Sequence, residues 1–168
     1  MVETEEKTEI KGLLPEQLEE TLAERGFQRF RGRQIAQWMY SHGVTDFEEM
    51  TNLSKKARAK LPEMFSILSL ECVTAEEASD GSAIKFLFQM ADGRRIESVL
   101  MREGRRRTLC VSSQVGCPLD CSFCATGKMG LIRNLTSGEI IDQVIQARKY
   151  LTDNGDELTN VVMMGMGE

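Results

Sequence analysis

The chain has 168 residues, 41% of them hydrophobic and 28% charged, which is enough for one buried core and leaves little room for two independent ones. Its formal net charge is −5, but residues 1–24 hold eight Glu against Lys7 and Lys11, a balance of −6, so the remainder sums to +1 and a polyanionic partner is not excluded. No apolar run reaches the length needed to span a bilayer, and Met1-Val2-Glu3-Thr4-Glu5-Glu6 is the reverse of a basic, apolar leader, so a cytoplasmic protein without a membrane partner is expected.

Residues 1–12 are polar and without period, and read as a flexible lead-in. From Pro15 the pattern is helical, with Leu18 and Leu22 on one stripe and Gly26 as a stop. A second amphipathic segment over 33–42 carries Ile35, Trp38 and Met39, and a third, capped by Ser54, runs to about residue 64. Residues 13–66 therefore form a helical domain. Near Ile67 the grammar changes to β-branched and aromatic residues between Asp80-Gly81, Asp92-Gly93 and Glu103-Gly104 turns. These predict antiparallel strands over 69–75, 83–90, 95–101 and 107–111. A Cys- and Gly-containing loop follows over 112–134. The capping box Thr136-Ser137-Gly138-Glu139 then opens a helix to about residue 151 through Ile140, Ile141, Val144 and Ala147. Asn160-Val161-Val162-Met163-Met164 reads as a buried strand. Strand, loop, helix, strand is a βαβ unit, a parallel-sheet piece.

Of the five cysteines, Cys110, Cys117, Cys121 and Cys124 crowd into 15 residues, and Cys72, on a strand, reads as packing. In a reducing compartment such a cluster points to metal or catalysis rather than to a disulfide framework. Cys117, Cys121 and Cys124, with Gly116 before and Gly127 after, set three thiols to converge on one point. A zinc site needs a fourth ligand, which Cys110 could supply, since the only histidine, His42, is remote in sequence. An iron-sulfur cube held by three thiolates keeps one iron open for chemistry. By residue type alone, Cys110 is a small buried hydrophobe and Glu97 a solvent-facing strand carboxylate.

The spacing Cys-x-x-x-Cys-x-x-Cys, with an aromatic before the last Cys, resembles the signature of the radical S-adenosylmethionine (SAM) enzymes. The stretches Cys110-Val111-Ser112-Ser113-Gln114-Val115-Gly116-Cys117, Arg133-Asn134-Leu135-Thr136 and Val162-Met163-Met164-Gly165-Met166-Gly167-Glu168 resemble, within them, the RlmN/Cfr family of RNA methyltransferases. The resemblance runs from about Leu13 to Glu168. It implies an α/β protein in which an α+β accessory region precedes the first βαβ of a partial radical SAM (β/α) barrel. In that frame 13–66 is an RNA-binding domain, 67–106 an antiparallel strand extension, and 107–168 the truncated start of the barrel.

By the same resemblance Cys117, Cys121 and Cys124 hold a 4Fe-4S cluster. Phe123 lies beside the adenine of S-adenosylmethionine, and Gly167 and Glu168 meet its amino group. Glu97 is implied as the proton acceptor. Cys110 is implied as the second cysteine, which forms a disulfide with a first, methyl-carrying cysteine and so releases a covalent RNA adduct. The implied activity is methylation of carbon 2 of adenine in 23S ribosomal RNA and transfer RNA, by methyl-cysteine radical addition, with an external electron donor and a monomeric full-length enzyme. Two alternatives stand beside it, a Cfr-like carbon 8 methyltransferase and a non-catalytic RNA-binding module with a metal loop. The methyl-carrying cysteine lies near the C-terminus of family members and no cysteine here replaces it, so the 168-residue chain alone is expected to be inactive.

Two basic patches are candidates for RNA contact. Arg25, Arg29, Arg31 and Arg33 interleave with Phe27 and Phe30, and Arg102, Arg105, Arg106 and Arg107 flank Glu103. Either is also compatible with a solvated charged face.

Overall fold

The computed structural model describes residues 7–168, and the chain divides into two units, Met1–Leu68 and Ser69–Glu168. In the first, helix α1 (Pro15–Glu24) starts where Pro15 fits the first turn, and the Gln17 carboxamide oxygen accepts the Leu14 N–H at 2.8 Å. Helix α2 (Arg31–Ala36) begins two residues earlier than expected and runs on into a π-helical turn, Gln37–Ser41. Helix α3 (Lys55–Met64) is capped as expected, with the Ser54 hydroxyl accepting from the Ala57 N–H at 3.3 Å. Leu18, Leu22, Ile35, Met39, Met50 and Leu61 are fully removed from solvent and form the core of this unit.

The flexible lead-in is corrected over its described part. Strand β1 (Thr8–Glu9) pairs in parallel with β2 (Phe65–Ser66), Ile10 is fully buried, and the Tyr40 hydroxyl accepts the Gly12 N–H and donates to the Leu13 carbonyl. The partner strand lies some 57 residues away, beyond the reach of a local pattern. Residues 1–6 of the expected lead-in lie outside the described residues.

The second unit is built on a five-stranded sheet in the order β3 (Glu71–Glu77), β4 (Ala83–Gln89), β5 (Arg95–Glu103), β6 (Arg106–Cys110) and β9 (Asn160–Val162). The first four strands are antiparallel neighbours, and β9 joins β6 in parallel with Leu109 opposite Val161. Helix α4 (Ser137–Asp153) makes the crossover between them, opened by the expected Thr136–Glu139 capping box. It packs on the sheet through an edge-on Phe86–Tyr150 ring pair at 5.3 Å and a Ser98–Gln143 hydrogen bond. The class is α/β, as the pattern predicts. The strand extension and the βαβ unit, expected as successive regions, share one continuous sheet.

Three further expectations change. The loop over 112–134 contains an antiparallel stem, β7 (Gln114–Gly116) with β8 (Leu131–Asn134), which closes the cysteine segment at its base. Cys72 is exposed rather than packed, because β3 is an edge strand with every residue open to solvent. Met163 and Met164 are 60% and 78% exposed: β9 ends at Val162 and is itself the outer strand of the sheet.

Candidate active site and cysteine loop

Strand alternation sets Glu97 and Val99 of β5 on one face, and register sets Cys110 directly opposite Val99. Glu97, Val99 and Cys110 line a cavity of about 160 Å³, which is completed by Thr126 from the cysteine loop and by residues 164–166. The two residues implied as catalytic therefore meet in one cavity, beside the segment implied to meet the cofactor. The Glu97 carboxylate lies 3.4 Å from the Lys85 ammonium and remains half-exposed. Burial pushes the Cys110 thiol above its ordinary range, while the Met164 backbone N–H pulls the other way.

The 165–168 segment folds back over the end of β6. The Gly165 N–H donates to the Val111 carbonyl at 3.0 Å, the Met166 carbonyl accepts from the Ser113 and Gln114 N–H groups, and the Glu168 N–H donates to the Gln114 carboxamide at 3.0 Å. A Cβ at Gly165 would sit 2.7 Å from the Val111 backbone, and Gly167 combines φ +110° with a Cβ position 2.6 Å from the Ser113 hydroxyl. Glycine is required at both positions, by close approach at the first and by backbone conformation as well at the second.

Cys117 follows β7 and is buried, and its sulfur accepts the Leu119 N–H at 3.4 Å. Cys121 and Cys124 form a turn, with the Cys124 N–H on the Cys121 carbonyl at 3.0 Å. Backbone N–H groups of Gly127 and Thr126 hold the Cys124 thiol below its ordinary value. Hydrogen bonds of this kind favour the thiolate, the form that binds iron. In donor chemistry the loop fits an iron-sulfur cluster. The expectation that three thiols converge is not met in the placement observed: among the described residues no three His, Cys, Asp or Glu side chains are arranged to hold a metal ion. Cys117 sits just after the end of β7, whereas Cys121 and Cys124 belong to a separate turn. Phe123, between Cys121 and Cys124, is 91% exposed.

The arginines differ among themselves. Arg29 and Arg33 pair with Glu19, Arg29 also lies near Glu20, and the Arg31 guanidinium sits 5.4 Å from the Phe30 ring centre. Arg107 is tied to Asp156. Arg105 and Arg106, at the turn between β5 and β6, are exposed.

Sequence reasoning missed Ser112, Gln143 and the Arg133–Glu139 pair. Gln143 and Asp142 lie on the buried face of α4, where an apolar stripe was expected. Ser112 and Arg133 fall within the stretches that carry the family resemblance, as polar residues with no implied role, whereas Gln143 lies outside them and Glu139 is visible only as a capping residue.

A solved structure with 47% sequence identity, a radical SAM methyltransferase from Sphaerobacter thermophilus, matches with a TM-score of 0.88 over 96% of this chain and 47% of its own. In fold and in sequence the chain is thus similar to a radical SAM methyltransferase over the part the two share. Residues 8–67 match the family described as the ribosomal RNA large subunit methyltransferase N-terminal domain, RlmN_N. The chain is also 49% identical over 166 residues to the dual-specificity RNA methyltransferase RlmN of Saccharophagus degradans, and 48% identical over 166 residues to that of Marinobacter nauticus. These alignments cover 96% and 97% of this chain but 42% and 45% of the relatives, so the chain spans less than half their length. It is similar to the RlmN proteins along nearly all of its own sequence.

Proposed function

We propose that the chain provides the RNA-binding and cluster-bearing parts of a radical SAM methyltransferase acting on carbon 2 of adenine in 23S ribosomal and transfer RNA. The observation that carries this reading is the single cavity shared by Glu97, Cys110, Thr126 and residues 164–166. Cys117, Cys121 and Cys124 would hold a 4Fe-4S cluster, and Gly167 and Glu168 would meet the amino group of S-adenosylmethionine, with Phe123 beside its adenine. When bound, the cluster supplies one electron for reductive cleavage of the cofactor.

The chain's own residues do the remaining work. The Glu97 carboxylate accepts a proton from the adenine carbon undergoing substitution. The Cys110 sulfur attacks the sulfur of a methyl-carrying cysteine supplied from outside this chain: the S–S bond forms as the sulfur–carbon bond of the RNA adduct breaks, and the carbon leaves with the electron pair and takes up a proton to become the methyl group. Met164 and Met166 line the cavity beside Cys110. Exposed Arg105 and Arg106, with Arg31 and Phe30, offer phosphate and base contacts to RNA, whereas Arg29, Arg33 and Arg107 are partly neutralised by their acidic neighbours.

The test is anaerobic reconstitution of the chain with iron and sulfide. Roughly four of each per chain are expected, with an electron paramagnetic resonance signal that changes on adding S-adenosylmethionine. Retention of the same iron content by Cys117→Ala, Cys121→Ala and Cys124→Ala chains would overturn the ligand assignment.

A further inference from the structure

The hydroxyl of the fully buried Ser112 joins the backbones of two residues that line the cavity. It donates to the Glu97 backbone carbonyl at 2.6 Å and accepts the Met166 N–H at 2.9 Å. The Ser112 backbone is in turn clasped by one side chain. The Gln143 carboxamide oxygen accepts the Ser112 N–H at 2.8 Å, and its nitrogen donates to the Ser112 carbonyl at 2.9 Å. The same oxygen accepts the Ser98 hydroxyl at 2.7 Å, and the same nitrogen donates to the Glu139 carbonyl at 3.2 Å. Gln143 is fully buried, and its amide uses two donors and two acceptor positions at once, so its orientation is fixed from four sides.

We infer that Ser112, held by Gln143, is a positioning residue that sets the 166–168 segment, with its backbone carbonyl and Glu168 carboxylate acceptors, for the cofactor amino group and ties its placement to that of Glu97. The inference rests on the proposed assignment of the 165–168 segment to the cofactor. The chemistry is economical, since one hydroxyl has one proton to give and lone pairs to receive, and here it spends each on a different part of the cavity. Gly165 belongs to the same arrangement: its Cβ position would lie 2.7 Å from the Ser112 oxygen, so no side chain can come between them.

The test compares Ser112→Ala with Ser98→Ala. Both remove a buried hydroxyl bonded into the same network, but only the first releases the Met166 N–H. In the chain without cofactor, hydrogen exchange at the Met166 amide should speed up about tenfold in Ser112→Ala and stay at the wild-type rate in Ser98→Ala, as expected for the loss of one hydrogen bond of ordinary strength. In reconstituted chains of equal iron content, the S-adenosylmethionine concentration for half-saturation should rise about tenfold in Ser112→Ala alone. Equal behaviour of the two variants, in exchange or in binding, overturns the inference. Failure of the reconstituted wild-type chain to take up S-adenosylmethionine overturns the cofactor assignment, and the inference with it, while the exchange measurement still reads the hydrogen bond itself.

Discussion

Arg133 grips the buried carboxylate of Glu139 with two guanidinium nitrogens, at 2.8 and 2.7 Å, and its third nitrogen donates to Asp92 at 2.8 Å. This clamp joins the end of β8, the first turn of α4 and the turn between β4 and β5, and so braces the stem that closes the cysteine loop. Burial alone would raise Glu139, but the Arg133 guanidinium and the Thr136 N–H outweigh it, leaving the carboxyl below its ordinary 4.5. Arg133, with the Arg94 backbone N–H, lowers Asp92 from 3.8 to about 2. Both folded values are depressed, so the stabilisation is complete above the ordinary values. It is lost as pH falls from about 4.5 towards 2, where the folded chain takes up its protons. Acid titration followed by circular dichroism should show Glu139→Gln destabilised by about 2 kcal/mol at pH 7. That lies below the about 3–5 kcal/mol of a fully buried pair, because the Arg133 side chain keeps 28% exposure. The gap from wild type should close as the pH falls towards 2. A gap independent of pH would refute the assignment.

Gln143→Leu keeps the volume but strands the Ser112 N–H and carbonyl in the interior. Each buried backbone group left without a partner costs about 1–3 kcal/mol, so the variant should lose about 3 kcal/mol in urea unfolding. A loss under about 1 kcal/mol would show that the Ser112 backbone finds other partners.

What was legible in the sequence was local. The Thr136 and Ser54 caps, the Asp-Gly and Glu-Gly turns between strands and the βαβ order all depend on residues within a few positions of one another, and all are present. What was not legible depends on distant partners. The β1–β2 pairing joins residues some 57 apart, and the β7–β8 stem is only three and four residues long and carries a bulge. The exposure of Cys72 follows from β3 lying at a sheet edge, and that of Met163 and Met164 from β9 ending at Val162, neither of which periodicity reveals. In the first half of α4 the buried positions are Glu139, Asp142 and Gln143, because Arg133, Leu70 and Ser112 present groups there that need partners, while Ile145, Ala147 and Leu151 keep the second half apolar. Glu97 and Cys110 were named through family resemblance, and only the register of β5 against β6 puts them on one face.

Gly165→Ala introduces a methyl group 2.7 Å from the Val111 backbone. The expected cost is about 1–3 kcal/mol, with displacement of the segment it anchors. Thermal unfolding should show a lower midpoint, and the reconstituted chain should bind S-adenosylmethionine more weakly. An unchanged midpoint with unchanged binding would contradict the close approach described.

The exposed pair Arg105 and Arg106 should act as phosphate contacts. Replacing both with Ala should weaken RNA binding and flatten the dependence of log K on log salt by about 1–2 units. Arg107→Ala, which breaks a pair with Asp156, should change that slope less. Equal slopes for wild type and the double variant would remove this turn from the RNA surface.

The proposed part of the Glu97–Cys110 cavity in adenine carbon 2 methylation is tested most directly by grafting residues 1–168 in place of the matching segment of the Saccharophagus degradans relative and identifying the methylated nucleoside by mass spectrometry. The account predicts 2-methyladenosine from the graft, and from its Cys110→Ala form a persistent covalent adduct between protein and RNA in place of turnover. Formation of 8-methyladenosine, or full turnover without Cys110, would contradict it.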